Sequence, residues 1–203
     1  MSPHDLLWVA PGAIRLNGPW PEWADAAWQR SAPVVVRREA VAGGVIPVGL
    51  RGAARSQRVK GYVAADAVTR RMAPESLAEG SATVDGNLPA LAALALLAPA
   101  FNATGMAWGP TGGVGYFLAC GLPVLRADSD LDVVVRAPQP LTACQAAVLD
   151  GIQAAPGAAC RIDIQVDTGH GAFAFAEWRR GGRVLLKTNT GPQLCADPWA
   201  DTV

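Results

Sequence analysis

The chain has 203 residues, of which 51% are hydrophobic and 17% charged, enough apolar material for a sizeable core in one domain or two small ones. Its 17 basic residues balance 17 acidic ones, so the total carries no basic excess of the kind that marks a nucleic-acid-binding surface. The apolar run at residues 6 to 10 has no basic lead and is too short for a signal-peptide core, and the most hydrophobic stretch, LPALAALALLAPAF at 88 to 101, is interrupted by Pro99 and falls short of the ~20 residues that span a bilayer. Neither a membrane nor a nucleic-acid partner is expected. Cys120, Cys144, Cys160 and Cys195 form no C-x-x-C pair, which argues against zinc and for free buried thiols in a reducing, cytoplasmic compartment.

Residues 1 to 80 read as a small α+β domain. The runs LLWV, APVVVRR and VIPVGLR have strand character, and PEWADAAWQR has that of a helix, with Pro19 and Pro21 suited to its entrance. The segment MAPESLAEGSATVDGN is a polar join in which APESLAE can make a helical turn or two. Residues 81 to 203 form a second domain whose elements alternate. A helix at 88 to 98 is followed by a strand at 104 to 108, a glycine turn, a helix at 113 to 121, a strand at 131 to 136, a helix at 140 to 152 and a strand at 160 to 167. AFAFAEWRRGGRVLLKT fits either a hairpin turning at Gly181 and Gly182 or a helix followed by a strand. The alternation predicts an α/β (α+β) fold, a mixed sheet with flanking helices.

The stretch with most chemical content is GPTGGVGYFLACGLPVLRADSDLD, at 109 to 132. A glycine-rich turn brings backbone N–H groups close to phosphate oxygens, which side chains would otherwise hold away. LDVVV then reads as a buried strand, and residues two apart on a strand share a face, so Asp130 and Asp132 project together as a platform for a metal ion. The plainer reading, a turn through Asp128, Ser129 and Asp130, leaves Asp132 unexplained. RIDIQVD alternates Ile162, Ile164 and Val166 with Asp163, Gln165 and Asp167. That pattern is an amphipathic strand with a wet face or, if it pairs beside the first strand, a third carboxylate, Asp163, brought to the same site. Two segments are basic and free of acids: Arg51, Arg55, Arg58 and Lys60 fall in one, Arg179, Arg180, Arg183 and Lys187 in the other. Such segments suit a small polyanion bound by a protein of neutral total charge, although any one of these residues can equally face solvent. His4 and His170 are too few for a histidine metal site and are read as structural or capping groups.

A Gly-Gly turn opening a helix, an Asp-x-Asp on the next strand and an acid on a neighbouring strand resemble the nucleotidyltransferase superfamily. More narrowly, HDLLWV at 4 to 9, VGLRGAARSQR at 48 to 58, GPTGGVG at 109 to 115, DSDLDVVVRAP at 128 to 138, DIQVDTGHGAFAFAEW at 163 to 178 and GPQLCADPW at 191 to 199 resemble the malonate decarboxylase holo-acyl-carrier-protein synthases, the phosphoribosyl-dephospho-CoA transferases. Where Gly-Ser is expected after the threonine, this chain has Gly112 and Gly113, so a phosphate-binding hydroxyl is missing.

The resemblance implies transfer of the prosthetic group from 2'-(5''-triphosphoribosyl)-3'-dephospho-CoA to a serine of the acyl carrier subunit of malonate decarboxylase, with loss of pyrophosphate. It implies Mg2+ on Asp130, Asp132 and Asp163, with Asp163 also helping to remove the serine proton. Donor phosphates would lie on Thr111, Gly112, Gly113, Gly115 and Ser129, balanced by Arg51, Arg55, Arg58 and, more weakly, Lys187. The catalytic acids serve equally a nucleotidyltransferase with another donor or acceptor, and a silent nucleotide- or carrier-binding module would keep the same fold.

Overall fold

The computed structural model describes residues 1–81, 86–155 and 157–200. Two six-stranded sheets form the frame. The first contains β1 (Leu6–Val9), β2 (Arg15–Leu16), β3 (Val34–Val36), β4 (Val45–Arg51), β5 (Arg58–Ala64) and β6 (Val68–Met72), in the order β2-β5-β4-β3-β1-β6. All its neighbours are antiparallel. The second contains β7 (Ala107–Pro110), β8 (Leu131–Arg136), β9 (Ile162–Asp167), β10 (Gly171–Ala174), β11 (Val184–Thr188) and β12 (Gly191–Cys195), in the reverse of chain order. Here β8 and β9 are parallel, joined through the helix α5 (Ala143–Gln153), while the other pairs are antiparallel. The sheet is mixed, as the alternation of elements predicts.

The hydrophobic pattern decides which face of the second sheet is covered. Leu131, Val133, Val135, Ile162, Ile164 and Val166 pack with Leu91, Leu94, Leu97 and Phe101 of the helix α3 (Pro89–Ala103) and with Leu149 and Ile152 of α5. Alternation then turns Asp132, Asp163 and Gln165 to the opposite face. α3 runs through Pro99 instead of being interrupted there. Its ring is exposed, the surrounding Ala and Leu are strong helix formers, and the buried Leu97, Ala98 and Phe101 hold the last turns against the sheet, outweighing one lost backbone hydrogen bond.

Two further sequence expectations are corrected, and one open alternative is decided. The helix expected at PEWADAAWQR begins later, as α1 (Ala26–Ser31), and its entrance is Asp25, not a proline: the Asp25 carboxylate accepts the N–H groups of Ala27 and Trp28. Of the two readings of AFAFAEWRRGGRVLLKT, the helix followed by a strand is the one formed: after β10 come a short helix, α6 (Phe175–Arg179), and β11, so Gly181 and Gly182 lie between helix and strand. Finally, the free cysteines are not buried; Cys144 is exposed and Cys120, Cys160 and Cys195 are half-buried. Part of the polar join, at 82 to 85, lies outside the described residues, but APESLAE does form a helix, α2 (Pro74–Ala78). Among the described residues no helix is long and apolar enough to cross a membrane.

The two sheets are locked together by side chains that cross between them. Tyr116, on the helix α4 (Gly112–Cys120), is buried in the apolar cluster of the first sheet and donates to the carbonyls of Pro33 and Arg51, at 3.0 and 3.2 Å. At the other end Arg38 and Arg136 both reach Asp167, at 2.8 and 2.5 Å. Arg136 also binds Glu75 and the Pro3 carbonyl, and Ala40 N–H donates to Asn189 O.

Candidate active site

Between the sheets lies a cleft of about 900 Å³, and beside it a smaller cavity of about 220 Å³; Asp132 and Asp163 line both. The parallel register sets Asp132 directly beside Asp163, on the face turned away from the helices. Asp130 precedes β8 and lines the small cavity with them. Asp163 and Asp130 are near enough to oppose the ionisation of Asp132. Burial raises the Asp132 carboxyl above its ordinary range first, Asp163 and Asp130 raise it further, and Arg51 and Arg58 only partly counter this.

The glycine turn reaches the same place. β7 pairs with β8, and Thr111 N–H donates to Asp132 O at 2.8 Å, which fixes the start of α4 beside the carboxylates. Gly112 is left-handed (φ +55°), and a Cβ there would lie 1.9 Å from Asp132 Oδ2, so only glycine fits this approach. Thr111 makes no side-chain cap bond, and the first N–H groups of α4 have no partner within the helix. Gly113 lines the small cavity, whereas Thr111, Gly112 and Gly115 line the cleft. Gly115 is packed against Pro110 O, which a Cβ would approach to 2.5 Å, so its smallness serves the turn itself.

Arg51, Arg55 and Arg58 come to the small cavity from the first sheet and the loop between β4 and β5. Arg51 and Arg58 are register partners. The Arg51 carbonyl accepts from Trp28 Nε1 and from the Tyr116 hydroxyl, and its guanidinium lies 5.8 Å from the Tyr116 ring centre. Burial and the neighbouring Arg58 disfavour its charge, and Asp132 favours it. A polyanion placed between these groups would relieve that crowding. Ser129 also lines the cavity, but its Oγ already accepts Arg126 N–H at 2.9 Å, closing the turn before β8. The plainer reading of that turn is therefore correct for Ser129, and Asp132 stands apart from it on the strand.

Lys187 is not brought to the carboxylates. It lines the same cleft on β11, two strands from Asp163 and three from Asp132. Sequence reasoning missed Arg126, which lies across the small cavity, and Arg161, whose Nη2 is 2.7 Å from Asp163 Oδ1. The position of Arg161, two residues before Asp163 on the same face, was the available signal.

The donor set suits a hard divalent cation. It consists of carboxylate oxygens on one face, with a like-charge repulsion at Asp132 that Arg51 and Arg58 only partly relieve. Among the described residues no group of three His, Cys, Asp or Glu side chains is placed to hold a metal ion by itself. Magnesium does not require one, since it is commonly held by one or two carboxylates together with water and substrate phosphates.

Two family models cover most of the chain: the phosphoribosyl-dephospho-CoA transferase MdcG N-terminal domain matches residues 2–74, and the MdcG C-terminal domain matches residues 76–198. A phosphoribosyl-dephospho-CoA transferase of Pseudomonas putida (strain GB-1) is 46% identical over 200 residues, covering 98% of this chain and 95% of the relative. Proteins of the same name from Azotobacter vinelandii and Pseudomonas aeruginosa are each 43% identical, with 98% of this chain covered and 95% and 93% of theirs. No solved structure matches the chain.

Proposed function

Because the chain belongs to the phosphoribosyl-dephospho-CoA transferase family and is a transferase, we propose that it moves phosphoribosyl-dephospho-CoA from its 5''-triphosphate donor to a serine of the apo acyl carrier subunit of malonate decarboxylase, in the cytoplasm. The observation that carries this reading is the small cavity, where Asp130, Asp132 and Asp163 face Arg51, Arg55, Arg58 and Arg126 across the Gly113 end of α4. Carboxylates opposite arginines at an uncapped helix start suit a polyphosphate in transit, and the arrangement supports a nucleotidyltransferase-type reaction.

In this reading Asp130, Asp132 and Asp163 would hold magnesium together with water and donor phosphate oxygens, and the ion would supply charge neutralisation and orientation of the α-phosphate. The N–H groups at Gly112 and Gly113 and the four guanidinium groups take the β- and γ-phosphates and stabilise the departing pyrophosphate. The bare Gly112 backbone lets the phosphates approach Asp132, and Thr111 fixes the turn through its backbone bond to the strand. Asp163 has one oxygen engaged by Arg161, and the other accepts the serine proton. A new P–O bond forms to the serine oxygen as the bond between the α- and β-phosphates breaks.

The test is intact-mass spectrometry of the apo carrier subunit after incubation with this protein, magnesium and the donor. A mass gain equal to one phosphoribosyl-dephospho-CoA, mapped to serine and matched by released pyrophosphate, is expected. An unmodified carrier under these conditions would sink the assignment.

A further inference from the structure

The cleft contains more positive charge than the triphosphate end of a substrate can use, and part of it stands well away from the carboxylates. On β5 the face turned to the cleft carries Arg58 and then Lys60, with Arg51 and Gly49 as their register partners on β4. Same-face residues on a strand stand roughly 7 Å apart, so Lys60 lies one step farther from Asp132 than Arg58 does. Arg37 covers Gly49, a Cβ at which would sit 3.4 Å from Arg37 Cδ, and its guanidinium is fixed by Val48 O and Glu39.

The opposite wall supplies a third cation at that end. Arg136, Asp167, Ala172 and Lys187 form one row across four strands. The row starts four residues along β8 from Asp132, which puts Lys187 roughly 19 Å from Asp132 and roughly 16 Å from Asp163. The Arg38–Asp167 ion pair and the Ala40–Asn189 hydrogen bond join the walls beside Arg37 and Lys187. Every nearby acid is already engaged. Glu39 is held by Arg37 and Tyr62, Asp167 by Arg38 and Arg136, and Glu177 accepts the Leu185 N–H. Among the described residues neither Lys60 nor Lys187 has a carboxylate within ion-pair distance. Two residues before Lys187 on β11, the exposed Leu185 pairs with the exposed Leu194 of the edge strand β12, an apolar patch on the sheet beside Lys187.

Resting on the transferase reading above, we propose that Lys60, Arg37 and Lys187 form a second, metal-independent anion seat that takes the 5'-diphosphate of the donor's dephospho-CoA moiety, with the pantetheine arm leaving past Leu185 and Leu194. The donor carries two separate polyphosphate groups divided by two linked pentose rings, and the cleft offers two cation groups divided by a comparable step. One group works with the carboxylates. The other has a single carboxylate, Glu39, already taken up by Arg37 and Tyr62, and needs no metal ion, because a stable diphosphate that does not react requires only charge and hydrogen-bond donors.

The seat is tested by calorimetry with dephospho-CoA, which lacks the triphosphate, titrated into the full chain in the presence of EDTA. Wild-type protein binds it. Lys60→Gln and Lys187→Gln, at exposed positions where thermal melts check the fold, each weaken binding about tenfold or more, and Asp132→Asn leaves it unchanged. With the full donor, the lysine variants raise KM while kcat stays near wild type. Wild-type affinity in both lysine variants, or no binding by the wild-type protein, overturns the seat. Failure of the reaction assignment is distinguishable: an unlabelled carrier with lysine-dependent dephospho-CoA binding removes the reaction and supports the seat, whereas a labelled carrier with lysine-independent donor KM removes the seat alone.

Discussion

Asp132 and Asp163 occupy the same register position on the neighbouring parallel strands β8 and β9, so their carboxylates stand side by side on the face of the sheet opposite its helices. The pairing concentrates negative charge in the folded state, and its cost appears in the raised Asp132 carboxyl, for which burial is the first cause and Asp163 the second. A carboxylate raised on folding contributes stability that is present while it is protonated and lost as pH rises through its folded-state pKa. Asp132→Asn is therefore expected to abolish transfer and, without metal, to raise the melting temperature. The gain is small in acid and reaches full size near neutral pH. Thermal scans in EDTA from pH 3 to 7 check it, and a gain that shrinks with rising pH contradicts the argument.

Gly112 and Gly113 are expected to behave differently. Gly112→Ala forces a methyl group onto Asp132 Oδ2 at a left-handed backbone position, which should cost about 1–3 kcal/mol of stability and most of the activity. At Gly113 a Cβ meets Leu125 Cδ2 at 3.0 Å and Arg51 Nη2 at 3.3 Å, side-chain ends that can yield. Gly113→Ser should fold and keep turnover within a few fold of wild type. Denaturant melts and donor kinetics on the two variants decide the matter.

Arg51 and Arg58 reach the small cavity as register partners. Replacing either with Ala should weaken donor binding about tenfold or more, and Arg51→Lys should recover only part of that, because lysine lacks the planar fork. Calorimetry with calcium in place of magnesium, to slow turnover, measures this directly. Equal donor affinity in wild type and both alanine variants contradicts the assignment.

Tyr116 connects α4 to the first sheet through its hydroxyl. Tyr116→Phe keeps the ring and removes both hydrogen bonds, so a loss of about 1 kcal/mol is expected, larger if the two carbonyls stay unsatisfied. Arg51 loses one of the two bonds that fix its carbonyl, so donor KM should rise more than kcat falls. Paired melts and kinetics test the two effects.

Acid should loosen the opposite end of the cleft. Burial alone would raise the Asp167 carboxyl, but Arg38, the Gly169 N–H and Arg136 together outweigh it and hold it below the ordinary carboxylate range. Its contribution is therefore present above the unfolded pKa and lost as pH falls through the folded one. His4 is pushed down to about 4 by burial first and then by Arg136 and Arg38, against Asp167 and a hydrogen bond with Gln165, so it costs stability from roughly pH 6.5 downward as the unfolded chain takes up its proton. Asp167→Asn should destabilise the protein by about 3 kcal/mol or more at neutral pH, because it leaves two half-buried guanidinium groups short of a counter-charge. Its deficit relative to wild type should narrow in acid, which urea titrations at pH 7 and pH 4 measure.

The sequence by itself determined the two central strands of the site and, through the family its motifs resemble, the transferase class. The uninterrupted LDVVV run and the period-two RIDIQVD run are β8 and β9, and the same alternation that buries Ile162 and Ile164 turns Asp163 outward, because side-chain direction along a strand follows from residue order alone. The shift of α1 to Asp25, the continuation of α3 through Pro99 and the strands β2, β5, β6 and β12 were not legible, since capping competition, burial against a partner and edge pairing depend on contacts distant in the chain. Tertiary structure alone decided that β8 and β9 are parallel neighbours in a register that pairs Asp132 with Asp163, and that β4 and β5 from the other sheet deliver Arg51 and Arg58 to them. It also sent Lys187, which sequence reasoning grouped with the phosphate ligands, to the far end of the cleft. Composition can place an acid or a base on a strand, but the distance between two strands is set by how the sheets pack.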